Sequence, residues 1–179
     1  MSTQIKINHR PGKASAEVFI RDAFTVGNQY TLGDGKDYGY TIKIAPGADV
    51  MKTLLDLCSA FADIQEEQHG VLKGGYNPIL GDEGIFKISW KNKTKTTLWT
   101  DNDGEELDQA PALAEGGRVS VALEIWSRVG KEDDDNLLSI NVHPAQIRVH
   151  ELGDAQARIN AAFDDWFDGG ADATTREDF

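Results

Sequence analysis

The sequence predicts a mainly β fold, a small barrel of about six strands with one capping α-helix and an acidic C-terminal tail. Three observations point there. Apolar residues alternate with polar ones in several short segments separated by turn chemistry. One segment alone has the period of an amphipathic helix. After Leu152 the composition shifts to small and acidic residues.

The first strand is predicted over Ala16 to Val26, with Val18, Ile20 and Phe24 on its apolar face. A loop rich in Gly and Asp, Gly27 to Asp37, follows it. Tyr38 to Ala45 reads as the second strand, with Tyr40, Ile42 and Ile44 on one face, and Pro46-Gly47 breaks it. Asp49 to Gln68 is the helix. Asp49 suits an N-cap, Val50, Leu54, Leu57, Phe61 and Ile64 make one apolar stripe, and Gly70 is the stop. Gln65, Glu66 and Glu67 are expected in solvent. Lys73 to Glu83 reads as a loop.

Gly84 to Trp90 and Thr96 to Thr100 are the next strand pair, and Asn102-Asp103-Gly104 supplies a turn. Arg118 to Arg128 alternates with Val119, Val121, Leu123 and Ile125 on one face. An acidic turn, Glu132 to Asp135, separates it from the last strand, Leu138 to His150. A short helix over Arg158 to Phe167 and a disordered end from Gly169 to Phe179 are expected beyond. The domain division is therefore 1–152 for the barrel and 153–179 for the tail.

At 179 residues the chain suits one domain with appendages. No apolar run is long enough to span a membrane, and Met1 to Arg10 lacks the apolar core of a signal peptide. The single Cys58 excludes an internal disulfide and a thiolate zinc site, so a cytoplasmic setting is expected. The net charge of −12 argues at first sight against nucleic acid. Its distribution changes that argument. From Glu151 onward there are eight acids and two bases, so half of the net charge lies in the last sixth of the chain.

The segment from Gly84 to Thr100 is the opposite: it carries Lys87, Lys91, Lys93 and Lys95 and no acid, with Phe86, Trp90 and Trp99 interleaved. Single-stranded DNA calls for this mixture, because cations track phosphates and aromatic faces stack on bases of any sequence. The plainer alternative makes the lysines a solvated edge that blocks aggregation and the tryptophans core. Trp126 and Arg128 add to the candidates. By alternation Trp126 faces away from Val121, Leu123 and Ile125, where a large ring calls for a base or a covering segment.

In the tail, Phe163, Trp166, Phe167 and Phe179 alternate with carboxylates. Such a segment imitates DNA and can occupy a basic groove on this chain or on a partner. Asp172, Glu177, Asp178 and Phe179 are its candidate contacts. Catalysis finds no support. His9, His69, His143 and His150 show no metal-binding spacing, and Asp101 to Gly104 fits a turn better than a calcium loop. Cys58 has no basic neighbour and reads as an inert thiol. Neither a cofactor nor a metal is expected.

The ordered set of parts resembles a known family. The helix follows TIKIAPGAD, and the loop GGYNPILGDEG leads into IFKISWKNKTKTTLWTDNDGEEL. RVSVALEIW, opened by Gly116-Gly117, and a tail closing on Glu177-Asp178-Phe179 complete the set. This is similar to the phage single-stranded DNA-binding proteins of the T7 type and the Enc34 type, over most of the chain. The resemblance implies an OB-fold barrel that holds the strand without strong sequence preference during phage DNA replication or recombination. It implies a tail that contacts replication partners such as a polymerase, helicase or primase, in the cytoplasm of the host cell. It leaves homodimer formation open. The tail here is shorter and less acidic than the T7-type pattern. Two rival readings stand beside it: an acidic DNA mimic that blocks a host DNA-binding protein, and a phage structural protein.

Overall fold

The computed structural model describes residues 5–10, 13–27, 30–32, 39–79, 84–91, 97–108, 110–111 and 113–153, with the backbone alone at 30–32, 39 and 91. Their elements are β1 (Ile7–Arg10), β2 (Lys13–Thr25), β3 (Tyr30–Leu32), β4 (Gly39–Ala45), α1 (Ala48–His69), β5 (Leu72–Gly74), β6 (Phe86–Lys91), β7 (Leu98–Thr100), β8 (Arg118–Glu132) and β9 (Asp135–Glu151). The strands form one sheet in the order β3-β4-β2-β8-β9-β5, with β1 on β2, β6 on β4 and β7 on β9. β6 comes to lie beside β9 without a ladder between them. The sheet therefore curls into a barrel that hydrogen bonds leave open on one side, as OB-like folds do.

The alternation of the long strands decides what lies inside. On β8, Val119, Val121, Leu123 and Ile125 are buried, and on β2 so are Ala14, Ala16, Val18 and Ile20. β4 adds Ile42 and Ile44, and β6 adds Phe86 and Ile88. Helix α1 caps this interior with Leu54, Leu57 and Phe61, the residues that its apolar stripe predicts. Burying each such side chain is worth about 1.5–3 kcal/mol, which is why one helix suffices to fix the barrel floor.

Several expectations need correction. The helix begins at Ala48, with Gly47 rather than Asp49 in the capping position. Gly47 turns the chain at φ 95°, its carbonyl accepts the Met51 N–H at 3.0 Å, and Asp49 falls in the first turn, where its charge still favours the helix dipole. Gln65 is buried rather than solvated: its Nε2 donates to Ser127 Oγ at 2.9 Å. The ends of β8 and β9 run past the predicted bounds, and only Asp133 and Asp134 remain as the turn between them. The first of these two turn residues, Asp133, has φ 54°, a conformation that Asp tolerates better than most residues.

Phe24 was expected on the inner face with Val18 and Ile20, and it is 55% exposed. A bulge between Ile20 and Ala23 shifts the alternation by one residue, so Ala23 and Thr25 turn inward. Asp22 sits in that bulge at φ 49°, and its N–H donates to Ser120 Oγ, which in turn meets His150 Nε2 at 2.7 Å. The predicted strand pair around the lysine segment is also different. β6 pairs with β4, and β7 runs parallel to β9, so they are not a hairpin with each other. Three further strands, β1, β3 and β5, lie where no strand was predicted. The predicted helix over Arg158 to Phe167 and the tail lie outside the described residues.

Candidate nucleic-acid interface

The lysine segment is positioned by the ladder between β4 and β6. Lys43 pairs with Lys87 and Gly39 with Lys91. Because Ile42, Ile44, Phe86 and Ile88 point inward, Lys43 and Lys87 stand together on the outer face, Lys43 half-buried and Lys87 exposed. One pair along, the Thr41 and Ser89 hydroxyls meet at 3.0 Å and join the two strands across the same face. The backbone of Lys91 closes this ladder; its side chain, Lys93 and Lys95 lie outside the described residues.

Trp90 and Trp99 take the opposite side. Each is 6% exposed and belongs to the apolar core. Trp90 follows Phe86 and Ile88 in the inward alternation, and Trp99 lies across from the buried Ile147. Half-buried Tyr40 stacks on Trp90 at 5.4 Å and 23°, and Trp99 completes the cluster, 6.0 Å from Tyr40 and 6.2 Å from Trp90. As placed, neither tryptophan offers a free face to a base, and the core alternative weighed above describes their positions. The Trp99 indole N–H has no hydrogen-bond partner among the described residues.

Trp126 is half-buried on the outer face of β8, and Lys13 Nζ stands 5.3 Å from its ring centroid. Arg128 is exposed one pair further, in register with Lys13. The two cations and the ring thus meet on one outward patch, with Lys13 also 3.7 Å from Glu124. The reading of the sequence missed a similar unit. Phe19 lies between the inward Val18 and Ile20 and is 57% exposed, with the Arg21 guanidinium 5.3 Å from its ring centroid. The alternation that placed Trp126 outward also places Phe19, so the signal was there. Asp172, Glu177, Asp178 and Phe179 lie outside the described residues.

Comparison with solved structures bears on what this arrangement is. The crystal structure of gp2.5, a single-stranded DNA-binding protein encoded by bacteriophage T7, superposes with a TM-score of 0.50 at 14% identity, over 78% of this chain and 88% of that one. The fold is of the phage single-stranded DNA-binding type. The single-stranded DNA-binding protein of bacteriophage Enc34 in complex with single-stranded DNA is similar over 79% of this chain and 88% of its own, with 16% identity and a TM-score of 0.46. Its C-terminally truncated form covers 84% of this chain, with 14% identity and a TM-score of 0.47. At 14% identity the likeness to gp2.5 establishes the fold alone. No protein-family model and no curated protein matches the sequence.

Among the described residues no group of three or more His, Cys, Asp or Glu is gathered to hold a metal ion. No described helix is long and apolar enough to cross a membrane. Burial pushes the Cys58 thiol above its ordinary pKa, and a hydrogen bond with Asn77 only partly offsets this. A thiol held in its neutral form is a poor nucleophile.

Proposed function

We propose that this protein coats single-stranded DNA without strong sequence preference, in phage DNA replication or recombination within the host cytoplasm. The observation that carries the reading is the outward pair Lys43 and Lys87 on a barrel of the phage single-stranded DNA-binding type. That pair opens a segment in which Lys91, Lys93 and Lys95 follow with no acid up to Thr100. Lysines in such a row neutralise successive phosphates, and each neutralised phosphate releases counterions. Trp126, Arg128 and Lys13 supply a second contact, in which the ring stacks on a base and the cations hold the flanking phosphates. The reaction has no chemical step and no cofactor.

A gel shift with labelled oligo(dT) tests the reading. Binding is expected to prefer the single strand to a duplex of equal length and to weaken with salt. For about two to four phosphate contacts, log K against log salt should fall with a slope near −1.5 to −3. Equal affinity for duplex overturns the preference. No binding at low salt overturns the reading and favours a DNA mimic.

The tail deepens the proposal. Asp172, Glu177, Asp178 and Phe179 bring three carboxylates and an aromatic ring to one segment tethered to the barrel. Tethering gives an effective concentration that can reach about millimolar, so even a weak groove contact is populated. The same residues suit a basic pocket on a polymerase, helicase or primase. Truncation after Gly169 removes three acids and one base and should tighten oligo(dT) binding, with a gain that shrinks as salt rises. Unchanged affinity at low salt excludes competition within the chain.

A further inference from the structure

The outer face of the barrel holds a row that neither the lysine segment nor Trp126 accounts for. Leu98 begins β7 directly after the lysine segment and pairs with Gln146 of β9. Gln146 pairs with Ala122 of β8, and Ala122 with Phe19 of β2. Four side chains therefore stand side by side across four strands, Leu98 and Phe19 exposed at the two ends. With neighbouring strands about 4.7–4.9 Å apart, the row is roughly 14 Å long. It is uncharged throughout.

Its two borders have opposite charge. Two pairs further along the strands, on the same face, Arg148 of β9 faces Ser120, and Arg21 reaches over Phe19 from the edge of the β2 bulge. Both arginines are exposed. Arg148 lies over the turn at Gly104, where φ is 87° and an added Cβ would stand 3.1 Å from the guanidinium. On the other border Glu17 pairs with Glu124, whose carboxylate stands 3.7 Å from Lys13 Nζ, so the repulsion there comes mainly from Glu17. A polyanion laid along this floor is drawn to the arginine border and repelled from the glutamate border. The floor itself offers an aromatic ring and apolar surface, on which bases stack. The base edges then point toward the carboxylates, which accept hydrogen bonds from exocyclic amino groups.

We propose that this row is a track for single-stranded DNA that crosses the strands from Leu98 to Phe19. Phosphates lie on the Arg148 and Arg21 side, and a base stacks on Phe19. Cytosine and adenine, which carry amino donors, are favoured over thymine at the Glu17 and Glu124 border. The inference builds on the reading of the chain as a single-stranded DNA-binding protein. It adds Phe19, Arg21, Arg148, Glu17 and Glu124 to the interface and a direction to the strand.

The test uses the full chain and fluorescein-labelled oligonucleotides in an anisotropy titration. Phe19→Ala should weaken oligo(dT) binding roughly 5- to 150-fold, the range for the loss of one stacked base, with the salt slope unchanged. Arg148→Ala should weaken binding and make the slope shallower by about 0.7. Glu17→Gln should tighten oligo(dT) binding and narrow the preference for oligo(dC). All three side chains are exposed, so melting curves should match the parent protein, and the arginine variant keeps the test decisive if Phe19→Ala melts early. If all three variants bind like the parent while Lys87→Ala still binds more weakly, the track is wrong and the DNA-binding reading stands. If the parent protein binds no oligonucleotide at low salt, both fall.

Discussion

Tyr40, Trp90 and Trp99 meet inside one end of the barrel, with ring centroids 5.4 to 6.2 Å apart, whereas Phe19 and Trp126 stand outside, each with a cation 5.3 Å from its ring centroid. The residue types are the same, and both groups are flanked by basic residues in the sequence. What separates them is the phase of a two-residue repeat. Trp90 shares the phase of Phe86 and Ile88, so its ring joins the core and its worth is packing. Trp126 and Phe19 fall between buried residues on the outer face, Trp126 half-buried and Phe19 exposed, so neither ring joins the core. A cation beside an outward ring also raises the local positive field, which the inner cluster lacks. The lesson is that interleaved lysines and aromatics identify an interface only together with the face on which each ring stands.

The sharpest way to break this comparison starts from the floor of the core. Leu57→Glu should unfold the domain, a loss of more than about 4 kcal/mol, because it drives a charge among apolar side chains at a position 4% exposed. Loss of the cooperative transition in far-UV circular dichroism checks it, and a folded variant would mean that α1 does not cap the barrel. Next, Trp99→Ala should cost about 3–5 kcal/mol in urea unfolding, while Trp126→Ala should cost about 1 kcal/mol. Equal costs would erase the distinction between the inner and outer rings.

A smaller effect concerns the polar contact under the helix. Ser127→Ala removes the acceptor of the Gln65 amide and should cost about 1–3 kcal/mol, because the buried Nε2 is left without its bond. Replacing both residues by apolar ones should recover most of that loss, which a double-mutant cycle measures. The smallest effect is on Lys87. Lys87→Ala should leave the urea midpoint within experimental scatter and make the salt dependence of oligo(dT) binding shallower by about 0.7. No change in slope would remove Lys87 from the interface.

The sequence made the inner faces of β4, β6, β8 and α1 legible, because strict alternation or a 3.6 period runs through them. It also made the outward position of Trp126 legible. Other features were hidden for physical reasons. β5 has three residues and exists only through parallel pairing with β9, so no local pattern marks it, and the pairing of the predicted β7 with β9 rather than β6 is likewise set by a distant strand. The position of Phe24 depends on a bulge that reverses the phase after Ile20, and the bulge is held by Ser120 and His150 from distant strands. Gln65 reads as a solvent residue until Ser127 on β8 arrives to receive its amide. Trp90 and Trp99 looked like ligand contacts because their lysine neighbours are close in sequence, although the pleat sends the two kinds of side chain to opposite faces.

The position of β9 has a consequence for how the protein is made. This 17-residue strand pairs with β8 along its length, with β5 near its start and with β7 near its end. β2, near the other end of the chain, finds its long partner only in β8. A ribosome therefore releases β5 and β7 before their partner β9, and β2 well before its long partner β8. Pairing across such separations pays a large loop-closure entropy before it is rewarded, so formation of the barrel belongs to the slow, millisecond-to-second regime of folding. Until Glu151 has left the exit tunnel, the apolar faces of β2, β4 and α1 have no lid. That interval is when a nascent chain of this kind is most in need of a chaperone.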